Sequence, residues 1–290
     1  MQQFVYVTQA NDTWKGMHEL FSKLELPSTA DSICVKLNLC QYRRWETGAT
    51  SDPAVVDSLL NALRSRYPDA RLFLIENDQT GVNADNIFGY LGIDLVARKY
   101  NCETLNVRHC KWTAYEINGL HFKQIEIPDV ITDADLFITH PKLKTHGKTK
   151  LSCGLKNQFG LLRQKNKISL HHYLDEAIVD SNVAMKPHLT IVDANLCHEG
   201  NGGPAFGRPK RLGLFIGGSD IVAVDSFCCR IAGFSPRSVR HVRKSEEVGL
   251  GKTSYMLSSG ESLTPPNSYR LGFNSMLYHI MKPVRNSLQR

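Results

Sequence analysis

Residues 33–39 read Ile-Cys-Val-Lys-Leu-Asn-Leu, residues 52–67 Asp-Pro-Ala-Val-Val-Asp-Ser-Leu-Leu-Asn-Ala-Leu-Arg-Ser-Arg-Tyr, and residues 71–76 Arg-Leu-Phe-Leu-Ile-Glu. The first and last are short Val/Ile/Leu-rich runs of the kind that form buried strands. Between them, Val55, Val56, Leu59, Leu60 and Leu63 form a stripe at helical spacing. Asp52 is a capping residue and Pro53 suits the first helical turn, so the helix is expected to begin there and run to about Tyr67. Strand, helix, strand in this order calls for a crossover between parallel strands.

The same alternation continues outward. A helix is expected over 84–98, two antiparallel strands within 112–127 turning at Asn118-Gly119, and a strand over 136–139. A helix over 171–183, strands over 189–193 and 212–216, and a helix from Ser219 or Asp220 to Ala232 follow. The expected fold class is α/β, a mainly parallel sheet with helices on both faces and an antiparallel hairpin excursion. One domain over 1–264 carries the site, and 265–290, mixing aromatic, Met and basic residues, is expected to be a docking tail.

A chain of 290 residues with 42% hydrophobic composition can bury a large core. No window approaches the roughly 18 apolar residues of a membrane helix, so no membrane span is expected and the cytoplasm is the expected compartment. The eight cysteines are scattered without a Cys-x-x-Cys pair, which argues against a zinc ribbon and against an intrinsic ferredoxin-type iron–sulfur cluster. They are expected to be reduced core thiols.

Charge is concentrated in one place. Between His140 and His172 stand eight Lys or Arg residues, four His and no Asp or Glu, while the formal net charge of the whole chain is +7. The block therefore outweighs the net charge, and it calls for an anionic partner. Lys142, Lys144, Asn157, Asn201 and Arg208 are the candidate substrate-binding residues. His146 is a candidate acid/base, and Lys156, alone in the otherwise uncharged run 151–162, a candidate electrostatic or nucleophilic group with a lowered pKa. Asp193, expected at the end of its strand beside a glycine-rich loop, and Glu199 are candidates for a second proton-handling group. In the pair His171-His172 adjacent side chains diverge, so one at most faces a site with His146. Asp225, the one acid in an apolar helix, needs a backbone amide or a basic residue as partner. The glycines fit neither the dinucleotide fingerprint nor a P-loop.

Several stretches together resemble the domain-of-unknown-function 362 family. They are 134–146 (Ala-Asp-Leu-Phe-Ile-Thr-His-Pro-Lys-Leu-Lys-Thr-His), 155–160 (Leu-Lys-Asn-Gln-Phe-Gly), 191–195 (Ile-Val-Asp-Ala-Asn), 199–204 (Glu-Gly-Asn-Gly-Gly-Pro), 218–225 (Gly-Ser-Asp-Ile-Val-Ala-Val-Asp) and 249–251 (Gly-Leu-Gly), with weaker matches at 35–38 and 50–53. The resemblance implies an α/β fold and enzymatic or redox work beside iron–sulfur proteins. More distantly, the order His146, Lys156, His172 is similar to that of the nickel-dependent lactate racemase group. That likeness implies His146 as acid/base, Lys156 as the anchor of a cofactor or substrate, and His172 as a ligand to a divalent metal.

Three functions follow. The first is an enzyme that isomerises, racemises or oxidises or reduces a small carboxylate or phosphate by acid/base chemistry, with or without a metal. The second is a redox accessory that docks an iron–sulfur protein partner through a basic surface. The third, a nucleic-acid binder, is disfavoured because aromatic residues barely interleave with the lysines.

Overall fold

The structure is a computed structural model that describes residues 2–164, 166–200 and 207–258. In chain order its elements are β1 (Phe4–Gln9), α1 (Thr13–Lys23), β2 (Ser32–Lys36), α2 (Pro53–Arg66), β3 (Arg71–Glu76), α3 (Ala84–Tyr90), α4 (Ile93–Lys99), β4 (Cys102–Asn106), β5 (Trp112–Glu116), β6 (Gln124–Pro128), α5 (Asp129–Thr132) and β7 (Leu136–Thr139). There follow β8 (Lys142–His146), β9 (Lys150–Ser152), α6 (Gly154–Gln158), α7 (Leu174–Ala184), β10 (Leu189–Glu199), β11 (Arg208–Gly218), α8 (Ile221–Ile231), α9 (Arg240–Glu247) and β12 (Met256–Ser258).

The main sheet runs β12-β1-β11-β10-β7-β2-β3-β4, with β8 paired to β10 and β9 to β8. β10, β7, β2, β3 and β4 are mutually parallel, whereas β11 is antiparallel to both β10 and β1. Strand residues alternate between the two faces: Ile33 and Val35 of β2 pack with α1, α2, α3 and α4, while Cys34 packs on the other side with α6, α7, α8 and α9. Leu136 and Ile138 against Phe137 in β7 repeat the pattern. Burial on both faces explains why these strands read as continuous apolar runs.

Caps fix the helix starts. Asp52 accepts from Ala54 N and Asp220 from Val222 N and Ala223 N, as the helix-start residues require. The expected helix over 84–98 is instead two helices, because Leu91 closes the first and Gly92 adopts a left-handed φ of 71°. The excursion over 112–127 is the separate antiparallel pair β5-β6, but its connection is longer than a two-residue turn. Asp180 of α7 holds that connection by accepting from Leu120 N, His121 N and Phe122 N. β10 also outruns expectation. Its antiparallel partner β11 carries it past Asp193 to Glu199, through an irregularity between Ala194 and Leu196.

All eight cysteines are free, and Cys40 and Cys110 alone among them are not buried. Among the described residues no helix is long and apolar enough to cross a membrane. The tail expected over 265–290 lies outside the described residues.

Candidate functional site

The chain lays down β2, β3 and β4 in one direction across the sheet and then returns to place β7 on the other side of β2. At such a reversal the connections at the strands' carboxyl ends diverge and leave a crevice. A cavity of about 270 Å³ opens there, lined among others by Lys36, Glu76, Lys144, His146, Lys156, Lys167 and His171.

Lys36 ends β2 and Glu76 ends its neighbour β3, and their side chains, each 2% exposed, pair at 2.6 Å. Glu76 also accepts from Leu39 N at 2.9 Å and Asn77 N at 3.0 Å, and Lys36 donates to Leu37 O at 2.7 Å. This pair is neutral overall. Among the described residues no carboxylate lies within ion-pair distance of the other three lysines.

Lys144 lies on β8 between Lys142 and His146 at strand spacing, so the three share a direction. Its buried Nζ donates to Asn38 Oδ1 at 2.5 Å and Ala49 O at 2.9 Å and lies 3.6 Å from Cys40 Sγ. Burial holds its pKa below the ordinary lysine value. Lys167, on the 3₁₀ turn Lys167–Tyr173, donates to Asp78 O at 3.0 Å and Gly160 O at 2.7 Å, and burial lowers it to about 7. The carboxylates of Glu76 and Asp78 oppose the shift, and Lys36 adds to it. Lys156, on α6, has no hydrogen-bond or ion-pair partner among the described residues; burial first, and Lys144 beside it second, lower it to about 8.

α6 is held from beneath. The buried carboxylate of Asp225 on α8 accepts from Gly154 N at 2.8 Å and Leu155 N at 3.0 Å, the backbone amides that its apolar setting requires. Burial raises Asp225 to about 6. Asn157, one residue beyond Lys156, lines the cavity but is engaged in bracing it. Its amide joins Asn38 at 3.2 Å to Thr139 Oγ1 at 3.0 Å, tying the ends of β2 and β7. His146 Nδ1 accepts backbone N–H groups from Lys148 and Thr149, which selects the tautomer protonated on Nε2.

Other candidates lie elsewhere. Lys142 and Asp193 form an ion pair of 2.8 Å with side chains 1% and 0% exposed, outside the cavity lining. Asp193 is thus a mid-strand partner and not a strand-end group, because β11 extends β10 beyond it. Glu199 and Arg208 face each other across β10 and β11 and pair at 2.8 Å, with Lys210 at 3.6 Å, again outside the cavity lining. From the histidine pair, His171 lines the cavity, while His172 is exposed and does not. Asn201 lies outside the described residues. Among the described residues no group of three or more His, Cys, Asp or Glu side chains is placed to hold a metal ion, so the described donor set does not fit a metal at His172.

Lys36 and Glu76 complete the cavity without having stood out in the sequence, and His171 is the member of the histidine pair that lines it. The available signal was a single charge closing each of two neighbouring apolar strands, Lys36 in 33–39 and Glu76 in 71–76.

Fold and cavity define an open-sheet α/β protein with a cation-rich crevice at its topological switch point. Residues 33–230 match the family described as Domain of unknown function (DUF362), and the chain belongs to that family. It is 30% identical over 151 residues to the thylakoid-associated protein sll1697 of Synechocystis sp., a match covering 50% of this chain and 47% of that protein, so the chain spans about half the length of this relative. Among solved structures it is similar to the lactate racemase apoprotein from Thermoanaerobacterium thermosaccharolyticum, with a TM-score of 0.45, 11% identity, and coverage of 80% of this chain and 57% of that one.

Proposed function

We propose that the chain is an enzyme that takes a small carboxylate- or phosphate-bearing substrate into the lysine-lined cavity and moves a proton on it. One observation carries this reading: among the described residues Lys144, Lys156 and Lys167 converge on the cavity with no carboxylate within ion-pair distance, Lys167 feeling Glu76 and Asp78 only at longer range, while Glu76, the acid in the described lining, is paired with Lys36. Buried cations are costly unless paired, so an anion in the cavity would complete what the protein leaves open. In such a site fixed ammonium groups would stabilise charge that develops on the substrate during reaction.

His146 is the proton-moving group in this reading: with Nδ1 accepting from the backbone, the proton on Nε2 is the one it can pass. Lys156 is the mobile cation nearest to deprotonation without hydrogen bonds of its own. Asp193 and Glu199, each matched by a basic residue outside the cavity, are left out of the chemistry. The same reading keeps the protein in the cytoplasm, where its thiols would stay reduced.

The basic block is also turned inward. Lys142, Lys144 and Lys167 are buried. That supports a small ligand over an acidic protein partner docked on a basic surface, which needs its charges at the rim.

The test is hydrogen exchange into candidate substrates in D₂O, followed by NMR with lactate, pyruvate and glycerol 3-phosphate. Exchange at a carbon next to the anionic or carbonyl group is expected, and its loss in His146→Gln. Exchange at the buffer rate for every compound, or an undiminished rate in His146→Gln, would refute the assignment.

A further inference from the structure

We infer that Lys156 is a covalent nucleophile, forming an imine with a small carbonyl compound that also carries a carboxylate or phosphate. The inference rests on the anion-binding reading of the cavity and names the substrate class for it.

Position comes first. Lys144 spends its ammonium on Asn38, Ala49 and Cys40, Lys167 on two carbonyls, and Lys36 on Glu76 and Leu37 O. Lys156 alone of the four cavity lysines has none of these restraints among the described residues. An amine must have its lone pair free to attack a carbonyl carbon, and a nitrogen held by acceptors is both kept protonated and kept in place.

Surroundings come second. A lysine beside other cations in a desolvated pocket is the arrangement that makes an amine nucleophilic near neutral pH. Lys156 falls to about 8 for those two causes, so about half of it is neutral at pH 8 against about one part in 250 of an ordinary lysine near 10.4. The other lysines of the cavity would hold the substrate's anionic end and set its carbonyl against Lys156.

The step balances. The neutral Lys156 nitrogen adds to the carbonyl carbon and passes one proton to the oxygen. A second proton comes from solvent water. The oxygen leaves as water, and C=N replaces C=O at an unchanged oxidation level. The iminium then acidifies the neighbouring C–H.

The test is reductive trapping on the full chain. Wild type and Lys156→Arg are incubated at pH 8 with pyruvate, glyoxylate or dihydroxyacetone phosphate, treated with sodium borohydride, and mapped by peptide mass spectrometry. In parallel, calorimetry measures binding of the same compounds without borohydride. The expected result is a reduced adduct on Lys156 enriched about 100-fold over surface lysines, following the neutral fractions above. Inorganic phosphate should suppress it, and Lys156→Arg should still bind the compound but carry no adduct. Binding without an adduct, or an adduct centred on Lys167 or spread over surface lysines, overturns the nucleophile and leaves anion binding standing. Neither binding nor adduct overturns both.

Discussion

Replacing Lys36 by Met tests whether the cavity's one acid depends on its cation. Lys36 and Glu76 are each 2% exposed and 2.6 Å apart, so the substitution strands a carboxylate away from water. Removing one partner of a buried pair costs about 3–5 kcal/mol. Glu76 keeps two backbone donors, Leu39 N and Asn77 N, which places the expected loss at the lower end, about 3 kcal/mol. With a urea m-value of about 3 kcal/mol/M for a chain of this size, the midpoint should move down by about 1 M. The double variant Lys36→Met/Glu76→Gln removes both charges and should recover most of that shift, since the cost lies in the orphaned carboxylate and not in the lost attraction. Urea denaturation followed by circular dichroism reads both. A Lys36→Met midpoint within about 0.3 M of wild type, or a double variant no more stable than the single one, would refute the reasoning.

Three further outcomes are expected. Trace acetylation of Lys156 should rise with pH around a midpoint of about 8, against about 10.4 for exposed lysines; a midpoint above 10 would show that burial and Lys144 do not act on it. Asp225, raised to about 6 in the fold against about 3.9 unfolded, makes the folded state bind more protons between those values, so its contribution to stability falls as pH rises through about 4 to 6 and is constant above. Asp225→Asn should abolish that slope, at most about 1.4 kcal/mol per pH unit, and an unchanged stability profile between pH 4 and 6 would count against the assignment. In Gly154→Ala the new Cβ would meet Asp225 Oδ1 at 2.9 Å and Ile221 and Thr190 at 3.0 Å, so a loss of about 1–3 kcal/mol is expected, and a melting temperature equal to wild type would mean that α6 is less tightly seated.

Much of the fold is legible because both faces of the sheet are buried. Runs such as 71–76 and 136–139 admit few readings, and Asp52-Pro53 marks a helix start by local chemistry alone. What fails is whatever a partner strand decides. Asp193 looks like a strand end until β11 pairs alongside and carries β10 to Glu199. The helix over 84–98 breaks at Gly92, where the apolar spacing gives no warning and the left-handed turn does the work. His171 and not His172 lines the cavity because the pair sits on a 3₁₀ turn, whose side-chain directions differ from those of the helix expected there. Lys156 stands out in the sequence as a lone charge in an uncharged run. Lys36 and Glu76 do not, since their meeting depends on β2 lying beside β3 with Lys36 opposite Ile75.

Isothermal titration at low ionic strength of wild type and Lys156→Met with inorganic phosphate, pyruvate and phosphoglycolate tests the anion-binding cavity most directly. At least one of these should bind, more weakly as salt rises, and at least about tenfold more weakly in Lys156→Met, a difference of about 1.4 kcal/mol. No binding of any of the three, or equal affinity in the variant, would contradict a cavity built around unpaired lysines.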